Sequence, residues 1–253
     1  MGAESHAHVL VIEDDRVVAE AMVFHLERAG LRVDAAPDGL SGVRALRNRP
    51  PDILVLDLML PHLDGWFIIR EARSAFPHLP IIVVTARTNE HDRVEVLSLG
   101  ADDVMSKPFS MRELVARVQG ALRRTDALSA ERDRGGPVAA GDLTIDPERM
   151  SVTRGGRPLA LTPLEFRLLL VLAQNDGRVL SRDEIYRLVW GGERLHGDRS
   201  VDVLVRRLRS KVDEGAGRYT HIQTLHGVGY RLEPIGRDPV PADAALPTAT
   251  LDA

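Results

Sequence analysis

Five times in the first half of the chain, a short run of apolar residues gives way to an amphipathic segment. The runs fall near residues 8 to 13, 31 to 36, 52 to 57, 80 to 85 and 101 to 106, and most are continuous, as in Val9-Leu10-Val11-Ile12 and Ile53-Leu54-Val55-Leu56. A strand that is apolar at every position must be covered on both faces, as in a parallel sheet wrapped by crossover helices. The last amphipathic segment, Ser110 to Arg124, sets Leu114, Val115, Val118 and Leu122 on one stripe, with Ser110 placed to cap it. The first half is therefore expected to be a doubly wound α/β domain with a five-stranded parallel sheet.

Acidic residues stand where these strands end. Glu13-Asp14-Asp15 closes the first run and Asp57 the third. In an open parallel sheet the carboxyl ends of the strands form one rim, so these acids are expected to converge although far apart in sequence. Carboxylates packed that closely need a cation, and an all-oxygen set suits a hard ion such as Mg²⁺. Two other chemistries fit less well. A phosphohydrolase with an Asp nucleophile would place a second Asp two residues on as general acid, where this chain has Met59. A nucleotide-binding domain would want a Gly-rich turn after the first strand, where this chain has the acids.

The chain has 253 residues, 44% hydrophobic and 28% charged, enough for two ordinary domains. It has no cysteine, which excludes disulfides and thiolate metal sites. No run reaches the roughly 20 apolar residues of a membrane span, and the first residues lack a basic segment followed by an apolar one, so the expected location is cytoplasmic. A net charge of −4 argues against nucleic-acid binding only on average. Residues 1–124 carry 18 acidic against 15 basic side chains, whereas residues 138–234 carry 13 against 15. The second half is locally basic. The boundary falls in a polar stretch ending Gly135-Gly136-Pro137, so the division is read as domain 1–124, flexible linker 125–137, domain 138–234 and an aperiodic, disordered tail 235–253.

In the second domain, strand-like runs at 143–145, 150–153 and 159–161 precede three helical patterns. Thr162-Pro163-Leu164-Glu165, with capping-box spacing and Pro at the first helical position, opens the first, and Ser181-Arg182-Asp183-Glu184 opens the second. The third, about Asp198 to Val212, sets Val201, Leu204, Val205, Leu208 and Val212 on an inward stripe and turns Arg199, Val203, Arg206 and Ser210 outward. Two further strands flank His226-Gly227-Val228 as a hairpin, which completes an α+β winged helix-turn-helix. The third helix is the expected DNA reader. Val203, Arg206 and Arg207 are assigned to base edges, Arg199, Ser200 and Arg209 to phosphates.

These residues resemble a known family. Val-Leu-Val-Ile-Glu-Asp-Asp at 9–15, Leu-Val-Leu-Asp-Leu-Met-Leu-Pro at 54–61, Val-Val-Thr-Ala-Arg at 83–87 and Ser-Lys-Pro-Phe at 106–109 are similar to the receiver domains of two-component response regulators, of flavodoxin-like fold. Thr-Pro-Leu-Glu-Phe and Gly-Val-Gly-Tyr-Arg resemble the effector domain of the OmpR/PhoB subfamily, so the likeness spans residues 8 to 234. The resemblance implies that Asp57 accepts a phosphoryl group from a sensor histidine kinase. Glu13, Asp14 and Asp57, with the main-chain carbonyl of Met59, would hold Mg²⁺; Lys107 and Thr85 would contact the phosphoryl oxygens, with the Lys107–Pro108 bond cis. Phosphorylation would favour a two-fold dimer pairing Arg93 with Glu113, Asp102 with Arg117 and Asp103 with Arg124 around Val94, Leu97 and Val115.

Two positions depart from the family. Val104 stands where a Tyr or Phe usually reports occupancy at Thr85, and His226 stands at the wing tip where an Arg often reaches the minor groove. The expected function is a phosphorylation-gated, sequence-specific transcriptional regulator rather than a turnover enzyme, acting on promoter repeats with RNA polymerase as a further partner. One rival is a phosphorylation-independent DNA binder whose receiver dimerises constitutively, and another is a signalling relay that carries a DNA-binding-like module.

Overall fold

The computed structural model describes residues 7–87, 89–130, 136–192, 198–213 and 218–236. The first half alternates as expected: β1 (His8–Ile12), α1 (Arg16–Arg28), β2 (Arg32–Ala36), α2 (Gly39–Asn48), β3 (Ile53–Asp57), α3 (Gly65–Ala75), β4 (Ile81–Thr85), α4 (Glu90–Leu99), β5 (Asp103–Ser106) and α5 (Met111–Ala130). All five strands pair in parallel, in the order β2-β1-β3-β4-β5. Because successive side chains point to opposite faces, the continuous apolar runs feed two cores. Val9, Val11, Ile53, Val55, Ile82 and Val84 pack under Met22 and Leu26 of α1 and Leu114 and Val118 of α5. Leu10, Ile12, Leu54, Leu56, Ile81 and Val83 pack under Leu46 of α2, Ile68 and Ile69 of α3 and Val96 of α4.

The Ser110 hydroxyl accepts from Glu113 N at 3.0 Å and caps α5 as expected. That helix then continues to Ala130, so the linker expected from Thr125 begins later. The cause is local: Thr125 to Ala130 contains neither Gly nor Pro, and polar composition alone does not break a helix. Residues 131–135 of the expected linker lie outside the described residues. So does the tail from 237 on, while residues 235 and 236, read as tail, close the last strand.

The second half opens with an antiparallel sheet, β6 (Val138–Ala140), β7 (Leu143–Asp146), β8 (Ser151–Arg154) and β9 (Arg157–Leu159). Then come α6 (Pro163–Gln174), β10 (Leu180–Ser181), α7 (Arg182–Trp190), α8 (Ser200–Val212), β11 (Tyr219–Leu225) and β12 (Gly229–Gly236). The capping box expected at Thr162 forms at the start of α6, and Ser181 and Glu184 form a second one at the start of α7. β12 is the middle strand of a three-stranded sheet between β10 and β11. Gly229 permits this: a Cβ there would lie 1.9 Å from the carbonyl oxygen of Leu180. The inward stripe of α8, from Val201 to Val212, is buried with α6, α7 and the wing. Among the described residues, no helix is long and apolar enough to cross a membrane.

The two halves pack against each other. Val203 of α8, only 3% exposed, joins the apolar cluster of the first half that contains Val96, Leu97 and Val104. Trp190 at the end of α7 donates its indole N–H to the Asp102 carbonyl oxygen at 3.2 Å, and Arg124 of α5 donates to the Trp190 carbonyl oxygen at 2.9 Å.

Candidate functional site

The carboxyl ends of β1, β3, β4 and β5 deliver the expected acids and their partners to one rim. Glu13 and Asp57 are buried and Asp14 is exposed; one carboxylate oxygen from each lies within 4.8 Å of the others. The Lys107–Pro108 bond is cis. The Lys107 ammonium reaches into the rim and donates to Glu13 Oε1 and Oε2 at 2.7 and 2.8 Å and to Asp57 Oδ2 at 2.7 Å. The amide of Met59 donates to Asp57 Oδ1 at 2.9 Å, which fixes the carboxylate plane. Thr85 is buried at the end of β4, and its hydroxyl oxygen accepts from Arg87 N at 3.1 Å.

The electrostatics of this rim follow from burial and count. Desolvation raises the Glu13 carboxyl above its usual range; the Lys107 hydrogen bond opposes this and the Asp57 charge adds to it. Burial alone would pull Lys107 down, but hydrogen bonds and charge from Asp57 and Glu13 outweigh it and hold the ammonium above its ordinary value. Three carboxylates share one ammonium, so the ionised rim keeps a negative excess. An oxygen-only set with that excess fits a divalent hard cation. The sequence reading thus placed Glu13, Asp14, Asp57, Thr85 and Lys107 together, with Met59 directly beyond the strand end.

The charged residues expected at a dimer face are, apart from Arg93, engaged within the chain. Asp102 is a correction: it is 4% exposed, and its carboxylate accepts from Arg73 at 2.6 Å and from Ile81 N at 2.8 Å instead of facing a second copy's Arg117. Its place at the foot of β5, beneath the start of β4, turns it inward. Arg117 bonds Asp103 at 2.6 Å and Glu113 at 2.8 Å, and Arg124 is taken by Trp190. Leu97 is buried, while Arg93, Val94 and Val115 are partly exposed.

The reader helix departs further from expectation. Val203 is buried against the first half. Arg207 donates to the α4 carbonyl oxygen of Leu97 at 3.1 Å, to that of Ala101 at 3.0 Å, and to Glu165 Oε1 at 3.0 Å. Arg199 pairs with Glu90 at the start of α4, at 2.6 Å. Arg209, expected on phosphate, turns instead to the wing: it bonds the Ile222 carbonyl oxygen at 2.8 Å and Thr224 Oγ1 at 2.7 Å and lies over the Tyr230 ring. It flanks the inward stripe, where a long side chain meets β11 sooner than solvent. Ser200 is also buried, whereas Arg206 and the wing-tip His226 are exposed. Sequence reasoning missed Glu165 as more than a cap. Fully buried, it also bonds Lys211 at 2.6 Å, and although burial raises its pKa, Arg207 and Lys211 hold it below the usual carboxylate range. Trp190 was missed as well, because contacts between halves leave no periodic signal, and Arg73 because its partners Pro77, Leu79, Gly100 and Asp102 are brought together only by the tertiary fold of the first half.

The family of response regulator receiver domains matches residues 9–119, and the C-terminal domain of transcriptional regulatory proteins matches residues 156–232. The transcriptional regulatory protein AfsQ1 of Streptomyces coelicolor is 44% identical over 226 residues, covering 89% of this chain and 98% of its own. The alkaline phosphatase synthesis transcriptional regulatory protein PhoP of Bacillus subtilis is 39% identical over 230 residues, covering 89% and 96%. Among solved structures, a RitR mutant superposes with a TM-score of 0.72 at 26% identity, covering 90% of this chain and 99% of that one.

Proposed function

Since the chain belongs to the OmpR/PhoB-type response regulators, we propose that it is a transcriptional regulator whose DNA binding is gated by phosphorylation of Asp57. The observation that carries this reading is Asp57 itself. It is a buried carboxylate at a strand end, bonded by Lys107 and grouped with Glu13 and Asp14, in a chain that also carries a winged helix-turn-helix.

Glu13, Asp14 and Asp57, with the Met59 carbonyl, would hold Mg²⁺. When bound, the ion supplies positive charge beside the oxygens of the transferred group. An Asp57 oxygen attacks phosphorus in line. The bond from phosphorus to the donor nitrogen of a kinase imidazole breaks, and a P–O bond to the carboxylate forms. Lys107 then passes from Asp57 Oδ2 to the new phosphoryl oxygens without leaving the rim. Thr85 already accepts from Arg87 N, which leaves its hydroxyl hydrogen to donate to a phosphoryl oxygen. In this reading the protein is a switch with a kinase, a promoter and RNA polymerase as partners, not a turnover enzyme. Phosphorylated copies pair and present two α8 helices to two half-sites.

Incubation of the full chain with a small phosphodonor tests the chemistry. Acid-labile phosphate should appear on Asp57, require Mg²⁺ and vanish in Asp57→Ala; equal labelling of that variant would sink the assignment. A promoter-library shift whose affinity falls steeply with salt tests the DNA half.

A further inference from the structure

We propose that the crevice between the two halves is a binding site for a small amphipathic anion, an apolar body carrying one carboxylate or phosphate group. The crevice has a volume of about 510 Å³ and takes its walls from both halves: the ends of α3 and α4 on one side, α8 and the residues leading into α6 on the other. A space of that size between domains suits an organic ligand. Pro77, Leu99 and Ala160 supply apolar wall, and the charged side chains are Arg73, Arg207, Lys211 and Glu165.

Charge and spare donors set the sign of the ligand. Arg73 is matched by Asp102 at 2.6 Å, whereas Arg207 and Lys211 divide the single carboxylate of Glu165. Among the lining side chains, one positive charge is left over. Donors are left over as well. The Lys211 ammonium has three N–H groups and gives two, to the Ala160 carbonyl oxygen at 2.9 Å and to Glu165 at 2.6 Å. The Arg207 guanidinium has five, of which Leu97, Ala101 and Glu165 take at most four. An anionic head between the two cations accepts from both in charge-assisted bonds and cancels the excess. Arg73 adds to the demand for an anion. Burial pulls its guanidinium below the ordinary value, Asp102 opposes this, and the like charge of Arg207 adds to it. Gly100 lets Arg73 lie against the end of α4: φ there is +125°, a Cβ would stand 2.7 Å from Arg73 Cγ, and the Gly100 carbonyl oxygen accepts from Arg73 Nε at 2.8 Å. A ligand that touches both halves binds only while they stay packed, so its concentration is a chemical input separate from phosphorylation.

Calorimetry on the full chain in the absence of Mg²⁺ tests the site, with 1-naphthyl phosphate and 1-naphthylacetate as the two kinds of anion and 2-(1-naphthyl)ethanol as their uncharged analogue. At least one anion should bind one-to-one and about tenfold or more tightly than the alcohol, and the tighter of the two identifies the head group. Lys211→Gln removes the excess charge and a spare donor, and should weaken that anion about tenfold or more. Ser74→Glu, at an exposed position on the crevice wall, should do the same without touching the core. No saturable binding of either anion, equal binding of the alcohol, or undiminished anion binding by either variant would overturn the proposal.

Discussion

Lys107 and Glu165 illustrate how a single charge can decide the state of its surroundings. Lys107 occupies oxygens of Glu13 and Asp57 that a divalent cation would also use, so ammonium and metal compete for the same rim. Lys107→Ala should bind Mg²⁺ about tenfold more tightly by calorimetry, while losing the coupling between phosphorylation and DNA binding; weaker Mg²⁺ binding would contradict this arrangement. Glu165 sits fully buried between Arg207 and Lys211, and removing one member of such a group leaves the others uncompensated. Glu165→Gln should cost about 3 kcal/mol in urea unfolding. Because its folded pKa is depressed, the stabilisation from Glu165 is fully present above its unfolded value, near 4.5, and is lost as pH falls through the folded value. The wild-type chain should therefore lose stability in that acid window more steeply than Glu165→Gln, by the same urea measurement.

The elements were legible in the sequence where a period governs them. Apolar runs, most of them continuous, gave all five parallel strands within a residue or two, and the α8 stripe gave its inward face, because burial on one side of a regular element repeats at a fixed spacing. The rim was legible for a related reason: strand polarity sends every carboxyl end the same way. Elements defined by partners were less legible. The two-residue strand β10 has no pattern of its own and exists through its pairing with β12. The antiparallel sheet was read as three strands although it has four, with the last displaced to Arg157–Leu159, since short edge strands carry few alternations. β10 also explains Gly229: Gly229→Ala would drive a methyl into the Leu180 carbonyl. Its thermal midpoint should fall by several degrees, with DNA binding weakened through the wing. A midpoint unchanged by this substitution would mean that β10 and β12 do not approach as closely as described.

At the scale of the whole molecule, the least legible feature was the contact between the halves. Val203 and Arg207 face outward from the effector, as the stripe requires, yet the receiver surface around α4 captures them, which the sequence pattern of α8 alone does not signal. Burying Val203 contributes about 2 kcal/mol to the contact between the halves. Helix α4 holds Arg199 at its start and Arg207 at its end. The most direct test is the anisotropy of labelled promoter DNA titrated with the full chain, with and without beryllofluoride and Mg²⁺ as a phosphoryl mimic, in wild type and Asp57→Ala. The account predicts an affinity gain of about tenfold or more in wild type only when both are present, and none in the variant. The same affinity with and without the mimic, or an equal gain in Asp57→Ala, would contradict it.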